Sequence, residues 1–190
     1  MDSRWALVTA AASEPLTLSE LKLHLRVDNS AEDALITSYG VAARQMVEDE
    51  CWIALMPQTW DYFLDGWPAG DAFELPRPPL TSVTSITYRD ADGVTHTFAS
   101  ANYRVDTGGD LGRVVLRPGA VWPSAALDTG SPVAVRFVAG YANAAATPAL
   151  AKAAIYLLVG DLYAQREAAA GALTLTPTVQ RVMNLLKIRY

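Results

Sequence analysis

Two histidines, one cysteine and a pair of close aspartates are the residues whose types could carry chemistry in this 190-residue chain. His24 falls in a helical stretch and His96 in a strand-like one. Neither stands at a recognised metal-ligand spacing, so no metal site and no cofactor is expected. Cys51 sits inside an amphipathic pattern with no His placed beside it, which suits a buried packing thiol better than a nucleophile. Asp90 and Asp92 resemble the start of a calcium loop. The remaining oxygen ligands and the terminal Glu are missing, and the pair reads as turn chemistry. The stretch Thr107-Gly108-Gly109-Asp110-Leu111-Gly112 lacks the Lys-Ser/Thr ending of a phosphate-binding loop and reads as a flexible β turn. There is no Gly-x-Ser-x-Gly elbow. No catalytic residue is assigned, and the chain reads as a non-enzyme.

Binding surfaces are better represented. Trp60, Trp67 and Trp122 combine large apolar area with a polar edge, and either fill a core or form a platform for sugars or bases, as in a carbohydrate-binding β module. Glu48, Asp49 and Glu50 fall near the C-terminal end of a predicted helix, where the dipole disfavours each exposed acid by about 0.3 to 1 kcal/mol. That local penalty invites a cationic partner and marks a candidate inter-subunit acidic patch. The final segment has the reverse character. Arg181, Lys187 and Arg189 stand there with Leu185, Leu186 and Tyr190, and no acid follows Glu167. A short isolated helix is marginal in water, so this one needs a packed surface. Residues 148–167 of the same chain are one such surface, and a partner protein is the other.

The charge distribution runs along the same axis. Residues 1–100 hold six Lys/Arg and fifteen Asp/Glu, a net −9, whereas residues 101–190 hold nine and five, a net +4. Ordinary solubility or head-to-tail matching between neighbouring subunits would each produce this asymmetry. It disfavours a general nucleic-acid binder, which needs a broad basic face. Hydrophobic residues make up 51% of the chain, ample for a buried core. No apolar run reaches the roughly 20 residues needed to span a bilayer. Asp2 and Glu14 stand where a secretory leader would be basic and then apolar, so a soluble, unprocessed protein is expected.

The elements that position these residues follow from periodicity. Thr17-Leu18-Ser19-Glu20 fits a capping box and predicts a helix over 18–27. Ser30 is placed to cap a second helix, whose apolar residues Leu35, Ile36, Tyr39, Ala42, Ala43, Met46 and Val47 recur every three or four positions until Pro57. From Gln58 the period becomes two. Strands are predicted from residue 58 and over 72–76, 82–89, 94–99, 103–106, 113–117 and 132–139, with Asp92-Gly93 the best hairpin signal. Leu75-Pro76-Arg77-Pro78-Pro79-Leu80 should be an extended leader into the third of these. With no helical crossover between the strands, the sheet should be antiparallel. Thr147-Pro148 restarts helix over 148–167, nearly apolar all round. A loop over 168–177 follows, and Thr178 is placed to cap a terminal helix. The expected fold is α+β: a helical bundle formed by the N- and C-terminal helices, with an inserted antiparallel β sandwich or barrel. Its predicted parts are an N-terminal helical arm (1–57), the β domain (58–140) and a C-terminal helical arm (141–190).

This order of pieces, with Pro15-Leu16-Thr17-Leu18-Ser19-Glu20, the proline-led strand, Trp122-Pro123, Ala139-Gly140-Tyr141 and Thr147-Pro148 in sequence, resembles the head-tail connector (adaptor) family of tailed phages, prophages and gene transfer agents. The resemblance implies a non-enzymatic virion protein at the neck, made in the bacterial host cytoplasm. It implies a homo-oligomeric ring, usually twelvefold, beneath a portal protein and above a stopper or other neck or tail protein, with double-stranded DNA only as transiting cargo and no membrane. It also makes the portal the leading partner for Arg181, Leu185, Leu186, Lys187, Arg189 and Tyr190. A stopper or tail-completion protein is the neighbouring alternative.

Overall fold

Alternation of buried and exposed side chains sets the sheets, and a three- to four-residue period sets the helices. The computed structural model describes residues 4–165 and 176–187. The fold is α+β, with four helices and two antiparallel sheets among the described residues. It divides into a β unit, Met1–Ala11 with Pro57–Gly140, and a helical unit, Ala12–Met56 with Tyr141–Tyr190.

In the β unit, strands β1 (Arg4–Thr9), β2 (Gln58–Leu64), β4 (Leu80–Arg89), β5 (Thr95–Phe98) and β8 (Val133–Ala139) form a five-stranded sheet in the order β1-β2-β8-β4-β5. Strands β3 (Ala72–Glu74), β6 (Tyr103–Asp106) and β7 (Arg113–Leu116) form a three-stranded sheet in the order β3-β7-β6. Both sheets are open, so the barrel alternative falls. The central strand β8 shows the period of two plainly: Val133, Val135, Phe137 and Ala139 are buried while Arg136 is exposed and pairs with Asp61 of β2. Trp67 and Trp122 stack at 5.1 Å between ring centres. Tyr88 and Phe98 from the larger sheet and Phe73 from the smaller one surround them. These two half-buried Trp side chains therefore belong to one aromatic cluster, while Trp60 lies apart from it under the Arg77 guanidinium, 5.0 Å above its ring.

Two expectations change here. Periodicity predicts no strand at β1, although Trp, Val and Thr are strand formers. Its six residues are too few to show a period, and only pairing with β2 makes them a strand. The proline leader is not extended: Arg77 has φ 62°, and the Pro78–Pro79 bond is cis. Leu75, Arg77 and Leu80 are buried, and Leu75 N–H donates to Gly112 O at 2.8 Å. A left-handed non-glycine residue costs about 1 kcal/mol or more. Burial of the Arg77 stem and its contact with Trp60 offset this.

The helical unit contains α1 (Leu18–Leu25), α2 (Asp33–Cys51), α3 (Ala149–Ala164) and α4 (Pro177–Leu186). One apolar core joins Leu21, Ile36, Ala43, Val47, Ile155, Leu158, Val159, Val179 and Met183. The Thr17–Glu20 capping box forms as expected, and Arg26, left-handed at φ 58°, ends α1 earlier than position 27. Three caps differ. Asn29, not Ser30, organises the entry to α2 by accepting the Ala31 N–H, and α2 itself has no side-chain cap. Thr147 donates its hydroxyl to Leu55 O at 3.1 Å instead of capping α3, which starts at Ala149. Thr176, not Thr178, accepts from Val179 N–H and places Pro177 in the first turn of α4. Of the predicted 168–177 loop, residues 168–175 lie outside the described residues.

Candidate assembly interface

The terminal helix divides its residues by face. Val179 and Met183, four apart, are buried against the helical core, and Val182 and Leu186 flank them half-buried. Arg181, Leu185 and Lys187 remain outside, Leu185 with 69% of its surface exposed. Leu186 thus serves the chain's own core, while Arg181, Leu185 and Lys187 lie on the exposed face of the helix end. Arg189 and Tyr190 lie outside the described residues.

The acidic trio at the end of α2 is also split. Glu48 is buried and accepts from Arg44 Nη1 through Oε2 and from Leu55 N–H through Oε1. Arg44, itself buried, donates from Nε to Glu14 at 2.7 Å. Burial pulls the Arg44 pKa down, but its hydrogen bonds to the Glu14 and Glu48 carboxylates, and their charge, more than offset this and hold it above its ordinary value. Glu48 is therefore an internal counterion and is not part of an outward patch. Asp49 is exposed and Glu50 half-buried, so these two remain at the surface.

The structure brings the two candidate patches together. Lys187 Nζ lies 2.9 Å from Glu50 Oε1, and Met183 O lies 3.5 Å from Cys51 Sγ. The cation sought by the α2 acids is thus supplied in part by the chain's own tail. Both side chains of this ion pair are 40% exposed, and such a pair is worth about 0 to 1 kcal/mol, so a partner's charges can replace either member at little cost. Cys51 is buried between these elements, and burial, with Glu50 nearby, pushes its thiol up to about 11.

The point where the chain leaves the helical unit is held on both sides of one residue, Leu55. Leu55 N–H is bonded by Glu48 and Leu55 O by Thr147. In the β unit, Gly140 at φ 119° donates to Pro79 O at 2.8 Å and accepts from the Thr81 hydroxyl at 3.1 Å. Sequence reasoning missed the Arg44–Glu48 pair, although opposite charges four apart on the apolar face of a predicted helix are a legible signal.

Elsewhere the groups that suggested chemistry have structural partners. Asp90 Oδ1 accepts from Asp92 and Val94 N–H while Oδ2 meets His96 Nε2, closing the predicted Asp92-Gly93 turn. His24 packs at 5.0 Å from the Tyr156 ring. No cluster of three or more metal-ligating side chains occurs among the described residues, and no helix there is long and apolar enough to cross a membrane.

A family model described as phage gp6-like head-tail connector protein matches residues 15–103. Among solved structures, a chain in the neck of an empty gene transfer agent particle computed with C6 symmetry matches with a TM-score of 0.80 and 28% identity, over 98% of this chain and 97% of that one. A chain in the virion of a native gene transfer agent particle matches with a TM-score of 0.79 and 30% identity, over 98% and 96%. A chain in the neck of a native particle computed with C12 symmetry matches with a TM-score of 0.78 and 28% identity, over 98% and 97%. No match is found among curated proteins.

Proposed function

We propose, for a chain that belongs to the phage gp6-like head-tail connector family, that it is the structural adaptor subunit at the neck of a phage-like particle, joining head to tail. The observation that carries this is the likeness to neck chains over 98% of its length, so both units are shared and not the helices alone. Its contribution is geometric, through packed surfaces.

In this reading the subunits form a ring, twelvefold as in the native neck computed with C12 symmetry. Each subunit carries its helices as a bundle and its two sheets as an inserted sandwich. The working parts are 1–57, 58–140 and 141–190, with Arg4–Thr9 added to the β part. Arg181, Leu185, Lys187, Arg189 and Tyr190 form an arm toward the portal, and Asp49 and Glu50 face a cation on a neighbour. A stopper or other tail protein binds the opposite rim. DNA passes through as cargo, compatible with a net charge of −5 that would not hold a polyanion.

Loss of the gene tests this directly. The expected particles are DNA-filled heads without attached tails, and density for this chain should lie between portal and tail in complemented particles. Fully tailed, infectious or transfer-competent particles from the deletion strain would overturn the assignment.

A further inference from the structure

The larger sheet ends in two strands that each pair on one side only among the named strands. β1 pairs with β2, and β5 pairs with β4. Unpaired strand edges are templates for another chain, and proteins normally guard them with charge, proline or a bulge. β1 is lightly guarded. Its only charge is Arg4 at the first position, and its ladder shifts between Leu7 and Thr9. Trp5, Ala6, Leu7 and Val8 between them are uncharged, and Leu7 and Val8 are 48% and 44% exposed. β5, Thr95-His96-Thr97-Phe98, carries no acid, lysine or arginine.

The two edges also match. Every step across β1-β2-β8-β4-β5 is antiparallel, so β1 and β5 run in the same direction. The ladders place Trp5, Tyr62, Val135, Ile86 and Phe98 in one row crossing the sheet from edge to edge. Such a row ends in an aromatic side chain at both sides. Arg4 stands toward the end of the sheet that carries the acidic Asp90–Asp92 turn.

We propose that β1 of one subunit pairs in parallel with β5 of a second copy of this chain, so that the five-stranded sheets continue from subunit to subunit. Two different edges joined head to tail form a heterologous contact, the kind that closes into a ring under rotation. The contact sets Arg4-Trp5-Ala6-Leu7 of one copy against Thr95-His96-Thr97-Phe98 of the next, which keeps Leu7 and Phe98 on one face of the continued sheet and covers the apolar flank at Leu7. It rests on the ring reading above and adds which surfaces of the subunit meet.

The test is cross-linking of the assembled full-length protein. Ala6→Cys and Thr97→Cys introduce thiols at exposed positions of β1 and β5, and Cys51, being buried, serves as the unmodified control. A short bismaleimide should convert the double variant into a covalent ladder ending at the ring size measured by native mass spectrometry. Mixing the two single variants should give only dimers of one with the other. Dimers of Ala6→Cys with itself would overturn the pairing in favour of a β1–β1 contact. Intact rings without any ladder would overturn the edge pairing and leave the ring reading standing, whereas a protein that forms no ring alone or on portal particles would remove both.

Discussion

Arg44 and Glu48 are the charged residues with most to lose. Their side chains are 5% and 7% exposed, and the pair joins α2 to the peptide at Leu55 through which the chain leaves the helical unit. Removing one member of a buried pair strands the other, at a cost of about 3 to 5 kcal/mol. Arg44→Met should therefore lower the chemical denaturation midpoint sharply with little change in slope, whereas Asp49→Asn at the exposed neighbouring position should leave it nearly unchanged. Cys51 gives a prediction in pH. Its pKa is raised in the fold to about 11 from an ordinary 9.0. The stability linked to the protonated thiol is fully present below pH 9.0 and is lost as pH rises toward about 11. Native protein at neutral pH should label with a thiol reagent only at its opening rate, and denaturant should expose one fast thiol. Immediate stoichiometric labelling of native protein would contradict its burial. The carboxylates of the β-unit turns behave oppositely. Asp90 lies below its ordinary 3.8 because it bonds His96 and the Val94 and Asp92 amides, so its stabilising contribution is lost as pH falls below that value. Asp90→Asn should flatten the acid limb of a thermal melting curve.

At the scale of elements, α4 is a core helix on one face and, in the proposed reading, a docking surface on the other, and the two faces are separable. Deleting residues 179–190 would remove Val179 and Met183 from the helical core, so truncation tests stability and docking together. Substitution of the outer face separates them. The double variant Arg181→Glu, Leu185→Glu should melt within a few degrees of the parent yet fail to attach to portal rings, measured by co-sedimentation. Normal attachment by this folded variant would refute the arm. Gly112 is the corresponding point in the β unit. A Cβ there would meet Leu80 Cβ at 2.2 Å at the start of β4. Such a clash requires backbone movement, and overpacking typically costs about 1 to 3 kcal/mol. Gly112→Ala should lower the melting temperature, while Gly70→Ala, with open space around it, should not.

At the scale of the whole molecule, the proposed role as a DNA conduit makes a prediction about charge. With fifteen Lys/Arg against twenty Asp/Glu, it has no surplus of phosphate-neutralising charge. Among the described residues several arginines already face carboxylates of the same chain, as Arg136 faces Asp61 and Arg113 faces Asp106. The isolated subunit should show no submicromolar affinity for duplex DNA at physiological salt by fluorescence anisotropy. Tight, steeply salt-dependent binding would contradict the conduit reading.

The amino-acid sequence alone determined the element order from Gln58 onward, because a period of two in seven short runs and a period near 3.6 on either side are local properties of side-chain alternation. It also determined the Thr17–Glu20 capping box and the Asp90–Gly93 turn, where the bonded partners are at most four residues apart. Tertiary structure decided what distance along the chain concealed. Arg4–Thr9 became a strand because β2, more than fifty residues later, offers it a ladder. Thr147 left its helix end because a carbonyl 92 residues away accepts its hydroxyl. Arg77 turned left-handed inside a proline run because Trp60 lies beneath it. Glu48 and Lys187 read alike in sequence, as charges waiting for a partner. One was buried against Arg44 and the other left at the surface beside Glu50, because burial depends on what packs across a residue and not on its neighbours in the chain.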